Sequence, residues 1–134
     1  MKPKLALVAG LTVFAGLVAI AVATPAHSQL QTVFATVDRG RQLFEKRCTG
    51  CHSLDADKEG PRLRDVYGRH AGSVPGFAYS DALRRAQFIW DADSLNRWLT
   101  STESVVHDND MDFSVAKPDE RAAIIQFLRE SSGK

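Results

Sequence analysis

Residues 48–52 read CTGCH, and this run constrains the chain more than any other feature of its 134 residues. The sequence contains only two cysteines, and both lie here. A two-residue spacer on a helical turn separates two thiols so that both can reach one side of a porphyrin, and the next residue offers an imidazole. This is the attachment pattern of a c-type haem, in which both thiols bind the vinyl groups and the histidine binds the iron.

Three other uses of a cysteine pair were weighed against this interpretation. A thioredoxin-like dithiol needs a βαβ pattern, which the sequence does not show. A zinc site needs two more cysteine or histidine ligands at a defined spacing. A plain disulfide is common in exported proteins but gives no reason for the adjoining histidine. The haem pattern accounts for all three residues, and we adopt it.

The start of the chain has the composition of a targeting segment. Two lysines precede an apolar run, 5–23, that contains no charge. Small residues follow it, and a secretory signal could be cleaved before Gln29 or before Thr24. The alternative is an uncleaved anchor, because a helix of 19 residues nearly spans a hydrocarbon core of about 30 Å. We therefore predict a signal peptide or N-terminal membrane anchor at 1–28.

Either alternative places the rest of the protein outside the cytoplasm. We expect it in the periplasm, or on the outer face of the inner membrane if the N-terminal segment is retained, with membrane contact only in that case. The division predicted for the remainder is a tether at 29–36 and a domain at 37–134.

The charge balance argues against nucleic acid as a partner. The chain has 17 basic and 16 acidic residues, and two of the basic residues, Lys2 and Lys4, lie in the targeting segment. The domain is therefore close to neutral or slightly acidic, whereas a nucleic-acid-binding surface is strongly basic.

Helical patterns alternate with long irregular stretches, and no strand pattern stands out. Helices are predicted from Val37, from Ser80 or Asp81, from near Asp91 and from Pro118, with polar loop between 100 and 116. The sequence predicts an all-α domain of three to five helices. A core built from so few helical residues is small, and a covalent haem would add apolar surface and cross-links to it.

Further motifs follow the helices and the cysteine run in a fixed order. They are Gly40 and Phe44, residues 60–63 (GPRL), 67–72 (YGRHAG) and 75–79 (PGFAY), Trp90, Met111, and residues 120–128 (ERAAIIQFL). With these motifs the chain from about Val37 to Arg129 resembles the class I, mitochondrial-type cytochromes c, including their bacterial periplasmic and membrane-anchored relatives. The resemblance implies a small all-α fold wrapped around one covalent haem c.

The resemblance also implies roles for individual residues. Cys48 and Cys51 would bind the haem, and His52 would bind its iron. Met111, which lies 21 residues after Trp90, would be the sixth ligand. The carbonyl of Pro61 would accept a hydrogen bond from the histidine Nδ1, which fixes the ring and strengthens its iron-facing nitrogen.

Three more residues correspond to the family's haem propionate partners, namely Arg69, Tyr79 and Trp90. A partly buried carboxylate needs a cation or hydrogen-bond donors, and these side chains supply both. Two other pairs, Gly40 with Phe44 and Ile124 with Phe127, match the positions at which the family's first and last helices cross.

The sequence departs from the family just before Met111. Residues 105–110 read VVHDND and lack the family's Pro-Gly turn and lysine. The loop could therefore release Met111 more easily, and His107 or Asn109 could replace it as a ligand.

Acidic residues also occupy this region, at Asp108, Asp110 and Asp112. Many relatives place lysines there to meet acidic partners. We therefore expect different docking electrostatics here, with a basic partner surface favoured.

These observations predict a monomeric protein that passes single electrons and is not an enzyme. Its donor and acceptor are expected among respiratory or photosynthetic redox proteins, such as a membrane cytochrome complex, an oxidase or a reaction centre. The alternatives are a ligand-binding or sensing haem protein with a labile sixth ligand, the cytochrome subunit of a larger oxidoreductase, and a secreted dithiol protein without haem.

Overall fold

The computed structural model describes residues 25–133, and the side chains from Gln29 onward. It contains five helices: α1 (Pro25–Arg47), α2 (Asp81–Arg84), α3 (Ala92–Thr100), α4 (Thr102–Val105) and α5 (Pro118–Glu130). Within this range there is no strand, only an isolated antiparallel bridge between His70 and Ile89. The predicted all-α fold is confirmed, whereas the apolar run at 5–23 lies outside the described residues.

Helix α1 begins twelve residues earlier than the sequence predicted. The stretch at 29–36, expected to be a tether, is helical and continuous with the remainder of α1. Residues 26–39 contain no glycine or proline, so nothing interrupts the backbone hydrogen bonds of a helix that tertiary contacts stabilise further along. No helix in the described range combines the length and the apolar character needed to cross a bilayer.

Helices α1 and α5 cross at the positions that the sequence predicted. Gly40 lies against the backbone of Ala123, and the rings of Phe44 and Phe127 pack with centroids 5.2 Å apart. Ile124 is almost fully buried beside them. This crossing fixes the C-terminal end of α1, from which the cysteine run follows.

Ion pairs join the same two helices at the start of α5. Arg47 Nη2 lies 2.6 Å from a carboxylate oxygen of Glu120, whose side chain is only 10% exposed. Arg39 Nη2 lies 2.7 Å from Asp119. The acidic first turn of α5 therefore meets basic side chains of α1, and it also suits the positive end of its own helix dipole.

Helix α3 packs against the core together with α1 and α5. Its start carries a capping box, in which the Asp91 side chain accepts from the backbone N–H of Ser94 and the Ser94 hydroxyl accepts from the backbone N–H of Asp91. Its apolar face, with Leu95, Trp98 and Leu99, is buried.

Two irregular regions connect the helices. The stretch between α1 and α2 is held by backbone hydrogen bonds to distant residues, such as Gly68 N to Trp90 O at 2.7 Å and Ala71 N to Phe88 O at 3.0 Å. The region predicted as polar loop at 100–116 contains the short helix α4, which the sequence analysis missed. Ser101 caps α4, since its side chain accepts from the backbone N–H of Ser104.

We predict that Gly40→Ala lowers the free energy of unfolding by about 2 kcal/mol or more, measured by chemical denaturation. A Cβ at this position would lie 2.0 Å from Ala123 O and 2.8 Å from Phe127 Cβ, so the helices must separate. This cost outweighs the gain of about 1 kcal/mol in helix propensity that alanine brings. The control is Gly50→Ala, where a Cβ meets nothing within 4 Å; equal stability of the two variants would contradict the close crossing.

Candidate cofactor site

A cavity of about 390 Å³ lies between α1, α3, α5 and the two irregular regions. Its volume falls within the range of about 300–1,000 Å³ that is usual for ligand sites. Most of its wall is apolar or aromatic, with a few polar side chains at separate places. All eight residues that the sequence singled out line it: Cys48, Cys51, His52, Pro61, Arg69, Tyr79, Trp90 and Met111.

The cysteine run enters this wall as a continuation of α1. Cys48 N donates to Phe44 O at 2.8 Å, and His52 N donates to Cys48 O at 2.8 Å, so the chain keeps helical spacing through the run. Cys48 is half-buried, and Cys51 is exposed. One thiol therefore faces the inside of the cavity wall while the other lies at its edge.

Both thiols favour the protonated form. Burial raises the pKa of Cys48 to about 11, against a weaker opposing effect of Arg47. The pKa of Cys51 is raised as well, chiefly by a hydrogen bond with the Glu59 carboxylate. No disulfide joins the two sulfurs.

The ring of His52 is fixed within the wall. Its Nδ1 lies 2.8 Å from the carbonyl oxygen of Pro61, so Nδ1 carries the proton and donates, and Nε2 is left as the free nitrogen. Burial lowers the pKa of His52, although the Pro61 carbonyl acts in the opposite direction. The imidazole is therefore held neutral, which is the form that binds a metal.

Gly60 provides the space in which this ring lies. A Cβ there would be 2.2 Å from His52 Cε1 and 2.6 Å from Nδ1. The backbone N–H of Gly60 also donates to Cys51 O at 2.8 Å, which keeps this segment against the cysteine run.

Two polar side chains of the wall, Arg69 and Tyr79, come from the second half of the stretch between α1 and α2. The guanidinium of Arg69 donates to the carbonyls of Arg64 and Arg62, both at 3.0 Å, and burial lowers its pKa. The Tyr79 hydroxyl accepts from Val74 N at 3.3 Å, so its own proton remains available to another acceptor. Burial raises the pKa of this phenol, so it stays protonated.

The indole of Trp90 adds an aromatic surface to this part of the wall. It packs edge-on against Phe88, with centroids 4.8 Å apart, and against Trp98 at 5.3 Å. Trp98 lines the cavity too, and it was not among the residues predicted for the site. A tryptophan on a buried helix face gives no sequence signal that separates cavity wall from core.

Met111 belongs to the irregular region after α4, and its neighbours Asn109, Asp110, Asp112 and Phe113 also line the cavity. The backbone of Met111 is hydrogen-bonded on both sides, by its N–H to Asn109 Oδ1 at 2.8 Å and by its carbonyl to the Thr102 hydroxyl.

His107, which the sequence offered as a replacement ligand, is not part of this wall. Its side chain is 81% exposed, with Nε2 3.3 Å from Glu103 and Nδ1 3.1 Å from Asp108. The arrangement disfavours His107 as a ligand in the cavity. Asn109 does line the cavity, but its side chain is engaged with the backbone of its own loop.

The sequence model of the family described as cytochrome c matches residues 37–132 of this chain. The chain belongs to the cytochrome c family. A cytochrome c of Euglena viridis is 39% identical over 95 residues, which cover 69% of this chain and 93% of that protein. A cytochrome c of Stellaria longipes is 37% identical over 98 residues, covering 70% and 91% respectively.

A solved structure shares the fold as well. The cytochrome cH from Methylobacterium extorquens superposes with a TM-score of 0.67 at 30% identity, and the match covers 70% of this chain and 97% of that one. The fold is that of a class I cytochrome c, and the cofactor is one covalent haem c.

The cavity has the properties that this cofactor requires. A mostly apolar and aromatic wall suits the porphyrin faces, and a free imidazole nitrogen and a thioether are ligands suited to haem iron. The thiols lie at one end of the wall, in the run that follows α1. The donors suited to propionates, Arg69 and Tyr79, are close enough to each other to interact electrostatically.

The contact between the Thr102 hydroxyl and Met111 was not predicted from the sequence. Thr102 is buried on α4, and nothing in the sequence indicated that its hydroxyl would reach a residue nine positions further on. For Asn109 the sequence offered a weak indication of its contact, because an asparagine side chain often accepts from the backbone N–H two residues further on in an Asx turn.

We predict that Gly60→Ala reduces the yield of haem-loaded, low-spin cytochrome. The added methyl group overlaps the His52 ring and must displace it from the Pro61 carbonyl. The measurement is the visible spectrum of purified protein, normalised to polypeptide. Gly50→Ala, which adds the same methyl group within the cysteine run but in open space, should keep the parent spectrum. A normal spectrum for Gly60→Ala would show that the ring does not need this position.

Proposed function

We propose that this cytochrome is a monohaem carrier of single electrons between respiratory or photosynthetic redox proteins outside the cytoplasm. The observation that carries the proposal is the convergence, in one apolar cavity, of the cysteine run with His52, Met111 and three side chains suited to propionates. An enzyme acting at the iron would need an open position for substrate, whereas His52 and Met111 would both bind the iron here.

The proposed division of roles follows the contacts of each side chain. Cys48 and Cys51 would hold the haem through thioether bonds, and His52 and Met111 would bind its iron. The haem supplies a one-electron iron couple, whose potential a thioether ligand raises. The protein keeps His52 in one orientation through the bond to Pro61 and surrounds the site with apolar side chains that exclude water.

The three remaining side chains would bind the propionates. Tyr79 can donate its free hydroxyl proton, and Arg69 supplies a positive charge that is already fixed by two backbone carbonyls. Trp90 would add its indole N–H. Each contact offsets the cost of removing a carboxylate from water.

The proposed location and partners follow from sequence. Covalent haem attachment together with the basic, apolar start of the chain supports a periplasmic protein, or one on the outer face of the inner membrane if the start is retained as an anchor. The partners would be a membrane cytochrome complex, an oxidase or a reaction centre, met by a monomer through small, short-lived interfaces.

The visible spectrum of the ferric and ferrous protein tests this proposal. Sharp low-spin ferrous bands and a far-red sulfur-to-iron band in the ferric form are expected. A high-spin spectrum with rapid carbon monoxide binding would instead favour a ligand-binding or sensing protein. Co-purification with a dehydrogenase or oxidase would favour a subunit of a larger enzyme.

We predict that Met111→Ala removes the far-red band and lets the ferrous protein bind carbon monoxide, because the iron loses its sixth ligand. Absorbance spectra before and after addition of carbon monoxide measure both effects. Ser114→Ala is the matched control, since Ser114 is exposed in the same loop three residues further on. Retention of the far-red band in Met111→Ala would assign the sixth ligand to another residue.

Acidic side chains at the edge of the cavity support the expected preference for a basic partner. Asp110 and Asp112 are exposed, line the cavity and form no ion pair within the described residues. Glu103 and Asp108 add two more carboxylates beside them, although both contact His107. This side of the cavity therefore carries negative charge that a basic surface would complement.

We predict that the double variant Asp110→Lys with Asp112→Lys transfers electrons more slowly to a cationic small oxidant and faster to an anionic one. Oxidation of the ferrous protein by cationic tris(phenanthroline)cobalt(III) should slow about tenfold at low ionic strength, and oxidation by ferricyanide should accelerate similarly. Stopped-flow rates measure both. Asp93→Lys, at an exposed acid outside the cavity wall, should change them much less. Equal effects at the two places would mean that the acids at the cavity have no special influence.

A further inference from the structure

Met111 is held by its backbone from both directions. Its N–H donates to Asn109 Oδ1 at 2.8 Å, which closes a tight Asx turn over Asp110. Its carbonyl accepts from the hydroxyl of Thr102, a buried residue at the start of α4. The position of the thioether in the cavity wall therefore depends on two side chains that do not themselves approach the iron as ligands.

The asparagine is itself fixed by further hydrogen bonds. Its Nδ2 donates to Val106 O at 2.8 Å and to Glu103 Oε2 at 3.3 Å. The other oxygen of Glu103 accepts from Asp108 N at 3.3 Å. Asp108 has a positive φ of 61°, so the chain reverses at this residue without glycine. Asn109 thus connects the reversed chain on one side with Met111 on the other.

Thr102 connects the same segment to the helices. Helix α4 packs against α3, and the Thr102 hydroxyl reaches across nine residues to Met111. Beyond Met111 the chain is tied again to α3, where Val115 N donates to Leu99 O at 2.7 Å. The loop is therefore attached to the helical core on both sides of the methionine.

We propose that Asn109 and Thr102 are positioning residues that keep Met111 in the cavity wall, in place of the proline, glycine and lysine that this loop lacks. The inference rests on the proposed function, because it concerns Met111 as the sixth ligand. Loss of either hydrogen bond lets the methionine leave the wall more often and raises the fraction of protein in which an external ligand can enter.

Imidazole binding to the ferric holoprotein measures that fraction. Imidazole enters only when Met111 has left, so its apparent affinity rises in proportion to the population of the open form. Asn109→Ala and Thr102→Val should each tighten apparent imidazole binding about tenfold, the effect expected for one lost hydrogen bond. Thr102→Ser keeps the hydroxyl and should return imidazole affinity most of the way to the parent value. Asn109→Asp keeps the acceptor for Met111 N–H but replaces the Nδ2 donor with a carboxylate oxygen facing Glu103 and Val106 O, so it should return the affinity only in part.

The far-red band and chemical denaturation complete the experiment. Ser114→Ala should match the parent protein in imidazole affinity, and the unfolding midpoint of each variant separates a local opening from a general loss of stability. Parent-like imidazole affinity in both Asn109→Ala and Thr102→Val overturns the proposal. So does a failure of Thr102→Ser to return imidazole affinity towards the parent value, because the Thr102 hydrogen bond would then not be what holds Met111.

The far-red band of the parent protein distinguishes failure of the proposed function from failure of the positioning roles. If the parent ferric protein has no far-red band, Met111 is not the sixth ligand, and the inference falls with that assignment. If the band is present in the parent but imidazole affinity is parent-like in both Asn109→Ala and Thr102→Val, the electron-carrier proposal stands and only the positioning roles of Asn109 and Thr102 are wrong.

Discussion

Helices α1 and α5 approach so closely at Gly40 that a side chain there would overlap the backbone of Ala123. The position of every other element depends on this contact, because it fixes the end of α1 and hence the cysteine run that continues from it. The paired rings of Phe44 and Phe127 and the ion pair between Arg47 and Glu120 hold the crossing on either side. The motif that attaches the cofactor therefore follows directly from a closely packed helix crossing.

The two sides of the cavity are built in different ways. The side with His52 is rigid at short range, because Gly60 and Pro61 lie directly against the ring and leave it one orientation. The side with Met111 is held through side chains of a loop whose own residues are mostly exposed. Local opening needs less free energy in such a segment than in a packed helix, so the position of Met111 depends on a few hydrogen bonds.

Much of the fold and most of the site could be predicted from sequence, because short-range spacing carries the information. The cysteine run, the Gly60-Pro61 pair and the spacing from Trp90 to Met111 are visible in the chain itself, and the structure brings them to one cavity. The helical start at Pro25 and the helix at 102–105 were missed. Both segments have weak local preferences, and neighbouring helices or caps decide their conformation.

The sequence by itself determined the cofactor class, the residues available to hold it and the excess of acids before and after Met111, since these depend only on residue type and spacing. The tertiary structure decided which of those residues face the cavity. It places His107 outside the wall with two carboxylates, and it brings Thr102 to the backbone of Met111. The direction of a loop side chain follows from contacts between distant segments, and no local pattern encodes it.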